Sequence, residues 1–177
     1  KRPMPFEDIK KVVERIDALG NIHQHLDLIA GLPEEDYASF RNSFNDVMSL
    51  RPEQFQLGFL KLLKGSGLRE KAEQYGLIYK SEPPYEILYT SYISYEEILR
   101  LHGIDDLVDR YYNNGRFRYA LEYLFKCYEY PFDFFEAFSI FWEEKGYDLI
   151  EHNKMANYYH LIEFSIDSPK VNQEILN

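Results

Sequence analysis

Residues 25–37 (His25-Leu26-Asp27-Leu28-Ile29-Ala30-Gly31-Leu32-Pro33-Glu34-Glu35-Asp36-Tyr37) are the segment with the clearest chemical content. A short apolar run ends in Gly-x-Pro, the pattern of a buried strand whose carboxyl end opens into a tight turn, where α/β folds place ligands. Gly31 has no Cβ and lets the backbone approach a bound group closely. An ordinary strand-to-helix turn accounts for the same residues. His23, His25 and Asp27 fall on one face of the strand, a row of side chains able to ligate a metal; alternatively they line a polar barrel interior or the strand's wetter end. Ser94 lacks an assignable activating His and, with Glu97, reads as a helix cap. Glu143, Glu144, His152 and His160 sit on separate helical stretches and read as solvated faces. The aromatic groups Tyr111-Tyr112, Phe134-Phe135-Phe138, Phe141-Trp142 and Tyr158-Tyr159 suit a flat-ligand pocket or, more simply, a packed core.

The elements that must hold these residues follow from periodicity. Ile9, Val12, Val13 and Ile16, after Pro3 and Pro5, recur at helical spacing, and Gly20 is placed to end that helix. A strand is expected from Ile22 to Ala30. Acidic Glu34-Glu35-Asp36 suits the positive start of a helix whose apolar face is Tyr37, Phe40, Phe44, Val47 and Met48. Arg51-Pro52 ends it, and Phe55, Leu57 and Phe59 alternate into a second strand. Helix, strand, helix, strand implies parallel strands joined by a right-handed crossover. Two such strands do not cover each other, so residues 1–64 read as a slice of a larger sheet. Lys1 in place of an initiating Met leads to the same expectation.

Beyond Gly65-Ser66-Gly67 the pattern is mainly helical. Leu68 to Tyr75 with Gly76 reads as a helix and its cap, and Leu77–Tyr79 and Tyr85–Thr90 as extended pieces around Pro83-Pro84. A helix opens at Ser94, with Gly103 a candidate interruption, and runs to Asn113-Asn114-Gly115. Further helices are expected over 117–128, 132–145 and 148–164. The segments near Tyr79 and Ile87, or self-association, are expected to cover the strand edges that a slice of sheet leaves open.

Composition separates the same two parts. The 177 residues carry 20 Lys+Arg and 30 Asp+Glu, a formal charge of -10, and 17% aromatic residues. Residues 1–64 account for only -1 of that charge, residues 65–177 for -9. So acidic a chain, with no basic cluster, argues against nucleic acid and anionic membrane as partners. No apolar stretch is long enough for a transmembrane helix and no signal peptide is evident, so a cytoplasmic location is expected. The single Cys127 excludes an internal disulfide, a four-thiolate zinc site and a cysteine-held iron–sulfur cluster within these residues.

Asp27-Leu28-Ile29-Ala30-Gly31-Leu32-Pro33 resembles a later barrel strand of the radical S-adenosylmethionine (AdoMet) enzymes, where Asp-(Leu/Ile)-Ile-x-Gly-(Leu/Phe)-Pro-Gly-Glu-Thr precedes a helix bearing Phe. Here Glu34-Glu35-Asp36 replaces Gly-Glu-Thr. Arg51-Pro52 and Gln54 to Lys64 look like the next strand and the loop leaving the barrel. Pro83-Pro84-Tyr85-Glu86-Ile87-Leu88 and the Asn-Gly-Arg-Phe segment from Asn114 resemble the helical C-terminal region of the cobalamin-binding-domain subgroup, Fe–S oxidoreductases some of which are called magnesium-protoporphyrin IX monomethyl ester oxidative cyclases.

The resemblance implies a fold of α/β followed by mainly α: the last two βα units of a radical AdoMet barrel (1–64), then a helical, aromatic-rich C-terminal domain (65–177). It implies that Ile29 and Gly31 border the adenine of AdoMet, with Glu34, or Glu35, as the motif's acid. AdoMet and a [4Fe–4S] cluster are the cofactors it implies for the full-length protein, with cobalamin where methyl transfer is performed. Neither is expected on this segment alone, whose expected partners are the N-terminal remainder of its own chain and a small-molecule substrate. The competing expectation is a stand-alone, non-enzymatic helical module that docks a protein partner.

Overall fold

A computed structural model describes residues 5–150 and 152–175. Lys1 and Pro3, which enter the expectations above, lie outside the described residues. The apolar spacing from Ile9 to Ile16 becomes α1 (Phe6–Asp17), yet only Val13 of its face is buried and Val12 remains 57% exposed. The strand is shorter than expected: β1 is His25–Ala30, because residues 21–24 form no ladder. α2 (Tyr37–Ser49) begins where the Asp36 carboxylate accepts the Ser39 N–H at 2.8 Å, and buries Phe40, Phe44 and Met48. β2 (Gln54–Phe59) lies parallel to β1, with Asp27 opposite Gln56 and Ile29 opposite Gly58.

Alternation sorts the two strands into two faces. Ala30, Phe55, Leu57 and Phe59 turn toward the core, where Phe44 meets Phe55 at 5.0 Å between ring centroids. His25, Asp27, Ile29 and Gln56 face the other way and are exposed. The expected covering of the strand edges is realised only in part. The extended segment β4 (Ile87–Tyr89) pairs with β3 (Ile78–Tyr79), and Ile87 N–H donates to the Leu60 carbonyl at 2.8 Å, just past the end of β2. Beside β2 itself the cover comes from elsewhere. Asn113 places its carboxamide against Phe55, accepting the backbone N–H and donating to the carbonyl, both at 2.9 Å. Among the described residues the sheet has two strands, and the second edge of β1 has no ladder partner.

The helical part opens with α3, reduced to a single turn (Gly67–Glu70) capped by Ser66, with turns rather than helix continuing to Gly76. α4 (Tyr95–Leu107) has the capping box expected from Ser94 and Glu97. Gly103 does not interrupt it; a Cβ there would collide with Ser139 Oγ, so glycine permits the close crossing of α4 and α6. The helix then widens into a π turn (Val108–Asn113), which aims Asn113 at β2. α5 (Arg118–Leu124) tightens into a 3₁₀ turn holding Cys127, and α6 (Pro131–Glu144) buries Phe132, Phe134, Phe135 and Phe138. The helix expected over 148–164 is divided into a 3₁₀ turn (Tyr147–Leu149) and α7 (Lys154–Asp167), and α8 (Pro169–Ile175), which was not expected, follows. One hydrophobic cluster extends from Ala30 through α6 to Val171, so both compositional parts share a core. The fold is α/β followed by mainly α.

Candidate functional site

The carboxyl ends of β1 and β2 are where a parallel sheet offers backbone free of packing duties. Gly31 sits there with φ +82°, a conformation that favours glycine. Its bare side is occupied: a Cβ at Gly31 would lie 2.8 Å from Ile87 Cγ2. Ile87, held by its bond to Leu60, fills the space that Gly31 leaves open. Ile29 stands on the opposite, outward face, 45% exposed. Across the register lies Gly58, whose missing side chain leaves a flat apolar step beside Ile29, with Ile29 Cγ1 3.9 Å from where a Cβ would be.

The acidic turn resolves into three different environments. Glu34 is exposed, with φ +67°. Glu35 turns inward, so burial pushes its carboxyl pKa up. One oxygen receives a long 3.5 Å contact from Ser43 Oγ, and the other is buried with no hydrogen-bond partner among the described residues. Asp36 is the cap of α2, and the Ser39 N–H lowers its pKa.

A polar group absent from the sequence-based expectations stands beside this end of the sheet. The His102 imidazole, from α4, stacks on Phe59, the last residue of β2, with centroids 3.5 Å apart and planes 16° from parallel. Its Nε2 lies 3.7 Å from Glu86 Oε1, which also accepts from Lys80 Nζ at 2.9 Å. Burial lowers the His102 pKa and Lys80 adds to the effect, while Glu86 opposes it. A neutral imidazole so placed can take a proton from a bound molecule. No local signal distinguishes His102 in the sequence; only the stacking on Phe59 does.

Along the outer edge of β2 lies a second polar concavity of about 360 Å³, lined by Gln54, Gln56, Asp105, Asp106, Asp109 and Asn113. Asp105 accepts the Leu57 N–H there, and burial, reinforced by Asp106 and Asp109, pushes its pKa up to about 6. The Leu57 N–H belongs to the strand's outer edge, so this is edge protection.

The other candidates are distributed as follows. His23 and His25 meet edge to face at 4.9 Å and are exposed with Asp27. Among the described residues, no group of three His, Cys, Asp or Glu side chains is arranged to hold a metal ion. Ser94 is a cap. His152 and His160, read as separate solvated faces, are in contact: His160 Nε2 lies 3.0 Å from His152 Nδ1. His152 Nε2 is 2.7 Å from the Tyr147 carbonyl and must donate to it, so His152 Nδ1 accepts from His160. The aromatic groups Phe134, Phe135, Phe138 and Tyr111 are buried core. No helix among the described residues is long and apolar enough to cross a membrane.

A family model described as a protein of unknown function (DUF4080) matches residues 73–177. No curated protein matches the chain.

Proposed function

The chain belongs to the DUF4080 family of proteins of unknown function, and from that premise we propose that it is the C-terminal part of a radical AdoMet enzyme of the cobalamin-binding-domain subgroup. Residues 22–65 are then the last two strands of its barrel, and the family domain is a helical cap on that barrel. The observation that carries this reading is the two-faced β1–β2 pair. Parallel strands are normally covered on both faces and continued by neighbours. Here the core covers one face, while His25, Asp27, Ile29 and Gln56 stand exposed on the other and, among the described residues, one edge of β1 has no partner. A barrel makes such a face its interior and such an edge a ladder to the preceding strand. The half-bare α1, with Val12 exposed, fits a helix layer continued by further helices.

AdoMet on a [4Fe–4S] cluster supplies a 5′-deoxyadenosyl radical for hydrogen abstraction from substrate, and together with cobalamin a route to methyl transfer. The cluster does not fit the residues present. Its ligands are thiolates, and the sequence holds one cysteine. Cluster binding is therefore assigned to residues preceding Lys1. The flat step formed by Ile29 and Gly58 fits an aromatic base laid against the strands, with side chain on one side and bare backbone on the other. Gly31 does not fit that role, because Ile87 fills its open side. Gly31 instead lets the helical cap seat on the barrel rim, and Ile87 is the residue that seats it. Glu34 is free to face the barrel mouth, whereas Glu35 is turned inward. His102, neutral and stacked on Phe59, is a side chain at the rim suited to moving a proton.

The test is the natural reading frame. Extension by a few hundred residues upstream, with Cys-x-x-x-Cys-x-x-Cys, supports the proposal; a frame opening at Lys1 refutes it. In that event the second reading, a non-enzymatic helical module, takes its place, and the outward apolar face of α7 favours it.

A further inference from the structure

Just past the carboxyl end of β2, two positive side chains are gathered on one aromatic ring. The chain leaving β2 pairs with the segment before β4: Leu62 N–H donates to the Tyr85 carbonyl at 2.9 Å, and Tyr85 N–H donates to the Glu82 carbonyl at 2.9 Å. Held on both sides, Tyr85 has φ +60°, uncommon for so bulky a residue, and backbone strain of this kind collects at ligand clamps. Over its ring stand the Arg69 guanidinium, 4.7 Å from the centroid, and the Lys64 ammonium, at 5.6 Å. Arg69 lies over the Tyr79 ring as well, at 5.0 Å, and its Nη1 donates to the Leu62 carbonyl at 3.0 Å. Two rings and one hydrogen bond therefore fix the guanidinium before any ligand arrives.

What these contacts lack is a negative charge. In so acidic a chain, neither Lys64 nor Arg69 makes an ion pair among the described residues. Glu86, on the segment that pairs with the chain leaving β2, is already engaged by Lys80 at 2.9 Å. A tether to Leu62 needs Arg69 alone. The second cation on the same ring adds repulsion and nothing to that tether, whereas an anion held by both accounts for the pair. Arg69 commits one N–H to Leu62, and its other N–H groups have no acceptor among the described residues. We propose that Lys64 and Arg69, on the platform of Tyr79 and Tyr85, form a binding site for the oxyanion, carboxylate or phosphate, of a small-molecule ligand. A guanidinium fork holds either group through two parallel hydrogen bonds, and an adjacent ammonium adds a point charge. The approach is open, since a Cβ at Gly65 or Gly67 would meet no atom within 4 Å. The carboxyl end of a parallel sheet is also where ligands bind. That the anion belongs to the substrate rests on the barrel reading; the binding itself does not.

Calorimetric titration of the full natural chain at low ionic strength, without AdoMet or reductant, tests it with two probes, inorganic phosphate and benzoate. The wild type is expected to bind at least one of them, and the preferred probe tells a phosphate ligand from a carboxylate. Arg69→Gln is expected to raise the dissociation constant about tenfold or more, and Lys64→Gln about threefold or more. Arg69→Lys should stay weakened, because the ammonium keeps the charge and loses the fork. Lys64 is exposed, so Lys64→Gln is expected to leave the circular dichroism unchanged. Without a probe that variant should melt slightly higher, its repulsion relieved, and with the probe it should gain less than the wild type. No binding of either probe, or binding that both Arg69→Gln and Lys64→Gln leave unchanged, overturns the proposal. The titration involves no turnover, so its failure is separate from a failure to form 5′-deoxyadenosine, which bears on the barrel reading alone.

Discussion

Gly31 and Ile87 meet where the sheet ends: the missing side chain of one is the space filled by the branched side chain of the other. Ile87 is 1% exposed and tied by its N–H to Leu60, so the helical cap begins its contact with the strands at this point. Gly31→Ala therefore incurs both a left-handed backbone and an overpacked neighbour, and is expected to cost about 2–4 kcal/mol. Gly65→Ala, with nearly the same φ (+80°) and open space around it, should cost only about 1 kcal/mol. Urea midpoints of the two variants check the difference. In the double variant Gly31→Ala/Ile87→Ala the cost should fall below the sum of the singles, since the collision has gone.

Asn113 covers the edge of β2 with two hydrogen bonds to Phe55. Replacing it by Ala strands a buried N–H and a carbonyl and is expected to cost about 2–3 kcal/mol. Asn113→Asp keeps the acceptor and loses the donor, so its urea midpoint should fall between those of wild type and Asn113→Ala.

Asp105 has its folded pKa pushed up to about 6 from an ordinary 3.8. Between those values the folded state holds a proton that the unfolded chain has released, so this group's contribution to stability decreases as pH rises from about 4 to 6. Above that range the fold carries a partly buried charge. Asp105→Asn keeps an acceptor for the Leu57 N–H and removes the charge, and should stabilise the protein at pH 7 by up to about 1 kcal/mol after solvent screening. Thermal melts at pH 7 and pH 4 check this, with the gain absent at the lower pH.

His160 has the opposite sign. Burial lowers its pKa below the ordinary 6.5, His152 and Arg110 add to the effect, and Glu163 opposes them. The unfolded chain therefore binds a proton first as pH falls, and the stability present above pH 6.5 is lost on acidification through and below that value. His160→Gln retains a donor toward His152 and should reduce the fall in melting temperature between pH 7 and 5. His102, shifted in the same direction, leaves a residual slope.

What could be read in the sequence was what neighbours in the chain decide. Ser94 with Glu97 specified a capping box from a four-residue pattern, and the alternation of Phe55, Leu57 and Phe59 specified a strand and its buried face. The misreadings were decided by distant residues. Gly103 looked like an interruption because its partner, Ser139, lies on another helix. The π turn that delivers Asn113 to β2 has no periodic signature, and His152 reaches His160 because α7 starts only at the Asn153 cap, leaving His152 outside the helix that carries His160. In the candidate site, the turn at Gly31 was visible; Ile87 on top of it and His102 on Phe59 depend on segments about 55 and 43 residues away, and no local pattern encodes them.

The central claim, that these residues complete a radical AdoMet barrel begun upstream, is tested most directly by product analysis of the full natural chain. After anaerobic reconstitution with iron and sulfide, giving absorbance near ~400 nm, the protein is incubated with AdoMet and a strong reductant. The account predicts 5′-deoxyadenosine, formed only when both reductant and AdoMet are present. Failure to form it in a chain that also takes up no cluster would contradict the account.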